Sequence, residues 1–359
     1  MRRKASCVPG TIYGCPARGI AYTDSLYAAV RSRGVEVQEG VWSGRWLLAN
    51  LHAGDMLHLH WPSFYYYDPR SRTRSLVGLL RFIVIVTLLH RRGVCIAWTA
   101  HNLYPHDGAK GEWLHRLARW FVVRVSDHVF VHGPTAAAMV RAEFPSADKA
   151  LRIISHGHWV GRFPNSTTRL EARRNLGVPE NAYVFLFIGL CKPYKGLESL
   201  IDAMPSQVPG ALLLIAGRFP SPAYQAAIMA RAERAGTQLV SVYPGYVEDE
   251  RLQVFLNAAD VVTLPYREIL TSGAAVLAMS FGCPVIAPRM GALVDLVDQD
   301  TGILYDPGES SGLRHAMQRA RSIRFSEEAI LRHVSNFTWD DAALELLRAH
   351  RGDLRGSRL

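Results

Sequence analysis

The chain has 359 residues, 49% of them hydrophobic and 20% charged, and a formal net charge of +10. That length exceeds the ~100–200 residues of a single core and implies two domains, while the composition excludes a disordered or fibrous protein. The positive balance implies an anionic partner, whether a phosphate-bearing ligand, acidic lipid or nucleic acid, and does not choose among them.

Five cysteines, Cys7, Cys15, Cys95, Cys191 and Cys283, show no Cys-x-x-Cys pairing. That argues against a disulfide framework or zinc site and fits a reducing cytoplasm. The opening MRRKASCVPGTIYGCP is basic with no apolar stretch behind it, so no secretory signal is expected.

In chain order, residues 10–38 run from a Gly/Pro-rich loop into a helical pattern of Tyr22, Leu26, Ala29 and Val30, which ends at Gly34 before a short strand at 35–37. This opens a βαβ unit. Residues 55–62, DMLHLHWP, form the next strand and place His58 and His60 on one face, because strand side chains alternate. Two histidines at that spacing suit a metal, but no third ligand follows nearby. A strand end pointing into a cleft is the simpler reading.

Residues 69–92 carry six arginines, Arg70, Arg72, Arg74, Arg81, Arg91 and Arg92, and no acid, around the apolar run 76–89. The run is shorter than the ~20 residues that span a bilayer, and Arg81 interrupts it, so it is not expected to cross one. Two readings stay open: a helix lying on an anionic membrane surface, helped by Trp61 and Tyr65–Tyr67, or a core helix with solvated basic ends. Residues 94–100, VCIAWTA, are a strand apolar on both faces that delivers His101-Asn102 and then Pro105-His106-Asp107 to a loop. Ligands bind beyond the carboxyl ends of parallel strands, which makes His101, His106 and Asp107 acid/base candidates. Trp113, Leu117 and Trp120 give a helical stripe read as core, and residues 127–133, DHVFVHG, another strand with a polar end.

The segment FPNSTT at 163–168 reads as a linker. Beyond it come a helix near 170–176, a strand at 183–188, the loop GLCKPYKG at 189–196, a strand at 211–216, a helix at 221–235, a strand at 239–242, Gly245-Tyr246-Val247 and a helix at 248–258. This alternation is a second doubly wound sheet. Lys192 and Lys195 would meet a phosphate as point charges. Residues 261–291 read as strand, turn, helix and strand: Tyr266-Arg267-Glu268 ends an apolar run, and Thr271-Ser272-Gly273 opens a helix of small residues. Such a start offers unpaired amides to a diphosphate, or is an ordinary N-cap.

These residues carry a resemblance. Gly189, Lys195-Gly196, Ala216-Gly217, Gly245-Tyr246-Val247, Ala258-Ala259-Asp260, Leu264-Pro265, Gly282 to Val285 and Thr301-Gly302 resemble the donor domain of GT-B glycosyltransferases, the broad family that includes sucrose synthases and mannosyltransferases. HLHWP at 58–62, TAHNLYPHD at 99–107, SHGHW at 155–159, GLCKPYKG at 189–196 and LPYREILTSG at 264–273 are similar to bacterial exopolysaccharide transferases typified by the xanthan-pathway β-mannosyltransferase.

The resemblance implies an α/β protein of the GT-B class, two Rossmann-like doubly wound domains facing a cleft: an acceptor domain at 1–162, a donor domain at 169–325 and a helical segment at 326–359 that packs back across them. It implies metal-independent hexosyl transfer, first mannose from GDP-mannose with inversion, from a nucleotide sugar to a lipid-linked saccharide in exopolysaccharide biosynthesis. No cofactor is expected besides the nucleotide-sugar co-substrate. A retaining UDP-hexose transferase and a non-catalytic sugar-nucleotide binder are the alternatives. Gly189, Lys192, Lys195, Thr271, Ser272 and Gly273 would hold the diphosphate, Glu268 the sugar, and Tyr246 and Val247 the base. Asp107 is the first-ranked proton acceptor and His101 the second, with His106 and His60 behind, and His60 and Trp61 would lie on the acceptor side. The chain departs from the broad family's Glu-x7-Glu pattern, whose positions fall here at Ile269 and Leu277. A cytoplasmic protein in peripheral contact with the anionic inner face of the plasma membrane follows, with no nucleic-acid module present.

Overall fold

Short runs of Val, Ile, Leu and Phe bounded by glycine, proline or asparagine cannot bury both faces alone, so they assemble into parallel sheets covered by helices. A computed structural model of the chain describes residues 10–105, 113–204, 210–236 and 238–352. The strands are β1 (Ile12–Cys15), β2 (Val37–Glu39), β3 (Met56–Leu59), β4 (Cys95–Thr99), β5 (His128–Val131), β6 (Leu151–Ile153), β7 (Tyr183–Ile188), β8 (Ala211–Gly217), β9 (Val240–Pro244), β10 (Val261–Thr263), β11 (Val285–Pro288) and β12 (Gly302–Tyr305). They make two six-stranded parallel sheets, ordered β2-β1-β3-β4-β5-β6 and β12-β11-β10-β7-β8-β9. The first strand after the opening helix begins at Val37, slightly later than the 35–37 expected.

The chain divides into two compact units, Met1–Gly157 with Thr338–Leu359, and His158–Phe337. It leaves the first unit a few residues before the boundary read at 162 and returns to it at Thr338. The helix Trp339–Arg351 buries Ala342, Ala343, Leu346 and Leu347 in the cluster that holds Leu26, Tyr27 and Val30 of the helix Ala21–Arg31. Thr338 caps it by accepting from the Asp341 amide, and acidic Asp340 and Asp341 sit in its first turn, where the helix dipole favours negative charge.

In the second unit the strand order reverses between β7 and β10. That switch point opens a crevice at the carboxyl ends of the two strands. In the first unit the reversal lies between β1 and β3.

The arginine-flanked stretch corrects one expectation. It is a 20-residue helix, Arg72–Arg91, long and apolar enough by length and composition to cross a membrane. The exclusion by length fails because the helix extends past both ends of the run 76–89. It is the crossover between β3 and β4, with Leu79, Phe82, Val86 and Leu89 buried, which makes it an element of the first unit. Leu76, Val77, Leu80, Val84 and Leu88 stay exposed. The helix Trp113–Val125 packs beside it, and Trp113, Leu117 and Trp120, read as core, are exposed as well at 58%, 41% and 53%. Its buried face is the other one, through Leu114, Ala118, Val122 and Val123.

Candidate active site

The second unit gathers its candidates at the β7/β10 switch point. The loop after β7 carries Gly189, Lys192 and Lys195, and the loop after β10 carries Tyr266 to Ser272. Their backbones are joined by the Arg267 amide donating to the Tyr194 carbonyl at 2.9 Å. Gly196, at φ +70°, lies against the Pro265 carbonyl, where an added Cβ would come within 2.1 Å of the oxygen. A side chain there would force the loops apart. Lys195 Nζ lies 3.9 Å from the Tyr266 ring centre and 5.0 Å from that of Tyr194, a cation held over two aromatic faces. Burial works to lower the pKa of this lysine, but Tyr266 and Tyr194 outweigh it and hold the ammonium above its ordinary value. Lys195 therefore stays charged.

Ser272 caps the helix Gly273–Ser280 by accepting from the Ala275 amide, and its hydroxyl also pairs with the Tyr266 hydroxyl at 3.2 Å. The amides of Gly273 and Ala274 have no carbonyl within the helix to receive them. Lysine, tyrosine, N-cap serine and first-turn amides thus share one corner, a seat suited to a diphosphate. Arg267 is paired to Glu198 at 3.3 Å. Gly245 donates to the Gly217 carbonyl at the end of β8, and Gly189 to Ala216, so the three strand-end loops stand side by side. Tyr246 projects from the outermost loop with 68% of its surface exposed. Glu268 is half-buried and Thr271 likewise.

In the first unit a histidine follows each of four neighbouring strands: His60 after β3, His101 after β4, His132 after β5 and His156 after β6. All four are buried, as is His58 within β3. The Tyr27 hydroxyl lies 2.9 Å from His58 Nδ1 and 2.8 Å from His60 Nε2. His58 Nε2 pairs with Thr99 Oγ1 at 2.8 Å, and His60 Nδ1 with His101 Nε2 at 3.0 Å. His132 donates from Nδ1 to the Ile154 carbonyl and His156 from Nδ1 to that of Gly157; a carbonyl only accepts, which fixes both tautomers. Trp61 stacks on His101 at 4.3 Å and 13°. The Tyr22 ring meets His60, His101, His132, His156 and Trp339 edge-on.

Burial pushes His58 and His132 down to about 3 and His156 to about 4. Burial, with neighbouring imidazoles adding to it, holds His60 and His101 well below the usual range. All five are neutral near pH 7. Among the described residues no three His, Cys, Asp or Glu side chains are arranged to hold a metal. His106 and Asp107 lie outside the described residues.

The structure brings together Gly189, Lys195, Ser272 and Gly273 in one unit, and His60, Trp61 and His101 in the other. Sequence reasoning did not select Tyr22, Tyr27, Thr99, His132, His156 or Trp339. One signal was present, a histidine closing each of HLH60, TAH101, VFVH132 and IISH156.

Residues 182–322 match the family described as Glycosyl transferases group 1. The chain is 30% identical over 291 residues to GDP-mannose:glycolipid 4-beta-D-mannosyltransferase of Xanthomonas campestris pv. campestris, covering 79% of this chain and 73% of that protein. The chain is a group 1 glycosyltransferase. A D-inositol 3-phosphate glycosyltransferase of Segniliparus rotundus is 29% identical, over 75% of this chain and 63% of the relative. The fold of this glycosyltransferase is similar to that of Anabaena HepE, solved with UDP-glucose, at TM-score 0.65 and 15% identity over 95% of this chain and 97% of that one. Two Rossmann-like sheets of this kind are the GT-B architecture. At the two positions where the broad family carries glutamates, the glycosyltransferase buries Ile269 and half-buries Leu277, so neither can hydrogen-bond a ribose.

Proposed function

We propose that this glycosyltransferase moves mannose from GDP-mannose, with inversion, onto a lipid-linked saccharide in exopolysaccharide assembly. The observation that carries the donor class is the cationic seat of Lys195, Ser272 and the Gly273–Ala274 amides at the β7/β10 switch point. Fixed positive charge there neutralises the diphosphate as it leaves, without a metal ion. Lys192 and Thr271 border that seat, Glu268 faces the sugar, and Tyr246 with Val247 flanks the base. The choice of mannose leans on the similarity to the Xanthomonas mannosyltransferase.

Inverting transfer needs a base for the acceptor hydroxyl. Asp107 takes that role, because His101 is too reluctant to hold a proton and serves better as a neutral hydrogen-bonding group. Asp107→Asn should then cost ~10² or more in rate.

A lipid-linked acceptor calls for a membrane face. Leu76, Leu80, Val84 and Leu88 recur every fourth residue along Arg72–Arg91, beside Trp113, Leu117 and Trp120. Exposed Arg72, Arg74, Arg81 and Arg91 border them. Exposed apolar side chains rimmed by arginine suit an anionic leaflet, which supports a peripheral position on the cytoplasmic side of the plasma membrane.

The similarity to inositol-phosphate glycosyltransferases favours a second reading, a UDP-hexose donor with retention. Thermal shift against GDP, UDP, ADP and TDP separates the two, since a nucleotide at a hundred times its Kd stabilises by ~2.7 kcal/mol. GDP alone should shift the second-unit transition, and GDP-mannose should be turned over in EDTA. A shift with UDP alone, or activity only with added magnesium, would sink this reading.

A further inference from the structure

Parallel sheets bind ligands beyond the carboxyl ends of their strands, and the cationic seat obeys that rule. The second unit also holds a cavity of about 690 Å3 at the other end of the same strands. Tyr183 opens β7, Asp260 comes just before β10 and Pro284 just before β11, and all three line it. β7 is six residues long, about 20 Å of strand, so a small ligand here stays clear of Lys195 and Ser272. The volume is that of a small-molecule site.

Its walls are tied in place by the chain's own contacts. Gln253 Oε1 accepts from the Ser166 and Thr167 amides at 2.8 and 2.9 Å, and Asn257 Nδ2 donates to Asn165 Oδ1 and to the Thr167 carbonyl, each at 2.7 Å. The segment read as a linker is thereby strapped to the helix Asp249–Ala258. Arg169 donates to the Ala259 carbonyl and pairs with Asp260, and buried Arg173 takes the other Asp260 oxygen at 2.8 Å. Gly282, at φ +70°, lets the Glu327 side chain lie against its backbone, where an added Cβ would come within 2.3 Å of Glu327 Cγ.

These contacts set the charge. Asp260 is already shared by two guanidiniums. Arg324 also lines the cavity and has no ion pair or hydrogen bond among the described residues, and Arg321 lies 5.8 Å from the Tyr183 ring centre. Arg169, Arg173, Arg321 and Arg324 thus stand against two carboxylates, Asp260 and Glu327, an excess of two positive charges. A phosphate monoester brings about −1.5 to −2 at pH 7, whereas a carboxylate brings one. Guanidinium forks also meet phosphate oxygens two at a time. The rest of the wall suits a sugar. Asn165 keeps its amide hydrogens, since Asn257 takes only its oxygen, and they can pair with sugar hydroxyls. The Tyr183 hydroxyl is committed to the Ala320 carbonyl at 3.0 Å, so Tyr183, like Phe281, offers its ring.

We propose that this cavity is a second ligand site, separate from the donor seat, which takes the phosphate monoester of a sugar, with Arg321 and Arg324 on the phosphate and Asn165 on the hydroxyls. The site stands whichever nucleotide sugar the enzyme uses.

Calorimetry on the full chain tests it, with mannose 6-phosphate as the probe and GDP as the reporter of the donor seat. The sugar phosphate should bind wild type and Lys195→Met equally. Arg324→Glu should weaken it about tenfold or more while GDP binding stays at the wild-type level. Glu327→Gln removes the opposing acid and should tighten it about two- to fivefold, a gain that loss of fold cannot imitate. Mannose should not bind, and glucuronate and inorganic phosphate should each bind more weakly than the sugar phosphate. Binding that is lost in Lys195→Met and kept in Arg324→Glu puts the probe in the donor seat and overturns the proposal. So does a sugar phosphate that neither gives heat nor raises the Tm at millimolar concentration. Glucuronate binding as tightly refutes the phosphate, and inorganic phosphate binding as tightly refutes the sugar. Absence of GDP binding refutes the donor reading, while the sugar-phosphate titrations still decide this site.

Discussion

Acid should take the first unit apart well before the second. His58, His132 and His156 have folded pKa values of about 3, 3 and 4, against about 6.5 for a histidine in an unfolded chain. Below 6.5 the unfolded state therefore binds more protons than the folded one, and stability rises with pH. It is fully present above the unfolded value and is lost as pH falls towards 4. Between pH 7 and pH 5 each histidine that stays neutral in the fold costs about 2 kcal/mol, so these three remove about 6 kcal/mol, a large part of the 5–15 kcal/mol that holds a typical domain together. His60 and His101 are lowered too and act in the same sense. In the second unit, His158 is the described histidine that burial lowers, and it is only half-buried. Calorimetry at pH 7, 6 and 5 should show two transitions, one dropping steeply with acid and one nearly fixed. His132→Asn should flatten the steep one by one proton, about 1.4 kcal/mol per pH unit. A first-unit transition that holds its Tm from pH 7 to pH 5 would refute the burial of neutral histidines on which this rests.

Other outcomes follow from single contacts. Lys195→Met should weaken nucleotide-diphosphate binding about 10- to 100-fold by calorimetry, the loss of one charge-assisted contact of about 1.5–3 kcal/mol, while leaving the fold's far-UV signal unchanged. Ser272→Ala removes the cap of Gly273–Ser280 and the Tyr266 contact, and should lower second-unit stability in urea by about 0.5–2 kcal/mol. Leu346→Ala opens a cavity where Trp339–Arg351 meets the first core and should lower first-unit stability by about 2–5 kcal/mol. Replacing Arg72, Arg74 and Arg81 by glutamate should release the protein from vesicles rich in acidic lipid, at about 1 kcal/mol per charge lost; unchanged co-sedimentation would count against the membrane face.

What the sequence disclosed and what it hid divide along a physical line. Local rules located the second-unit elements closely: the run 183–188 became β7, the helix expected at 248–258 is Asp249–Ala258, and Ser272 was legible as an N-cap from the residues around it. Side-chain alternation likewise set His58 and His60 on one face, where both rings reach the Tyr27 hydroxyl. Contacts between elements far apart in the chain were not legible. Nothing near Lys195 announces that Tyr266, from a different strand's loop, will lie under its ammonium, and nothing near His58 announces that Tyr27 will bridge it to His60. The exposed face of Trp113, Leu117 and Trp120 was misread for a related reason, because a stripe at helical spacing names a face without saying what covers it. The two strand-end sites also differ in charge in a way that composition conceals. The net positive charge is a property of the whole chain, yet the first unit ends its strands in imidazoles that burial keeps neutral, whereas the second ends them in an ammonium that its tyrosines keep charged. A neutral, hydrogen-bonding wall tolerates a sugar hydroxyl and gives a phosphate no counter-charge, while a fixed cation at a helix start does the reverse. That asymmetry supports the proposal of an uncharged partner at the first unit and a charged one at the second, a division that the excess of arginine and lysine alone could not have suggested.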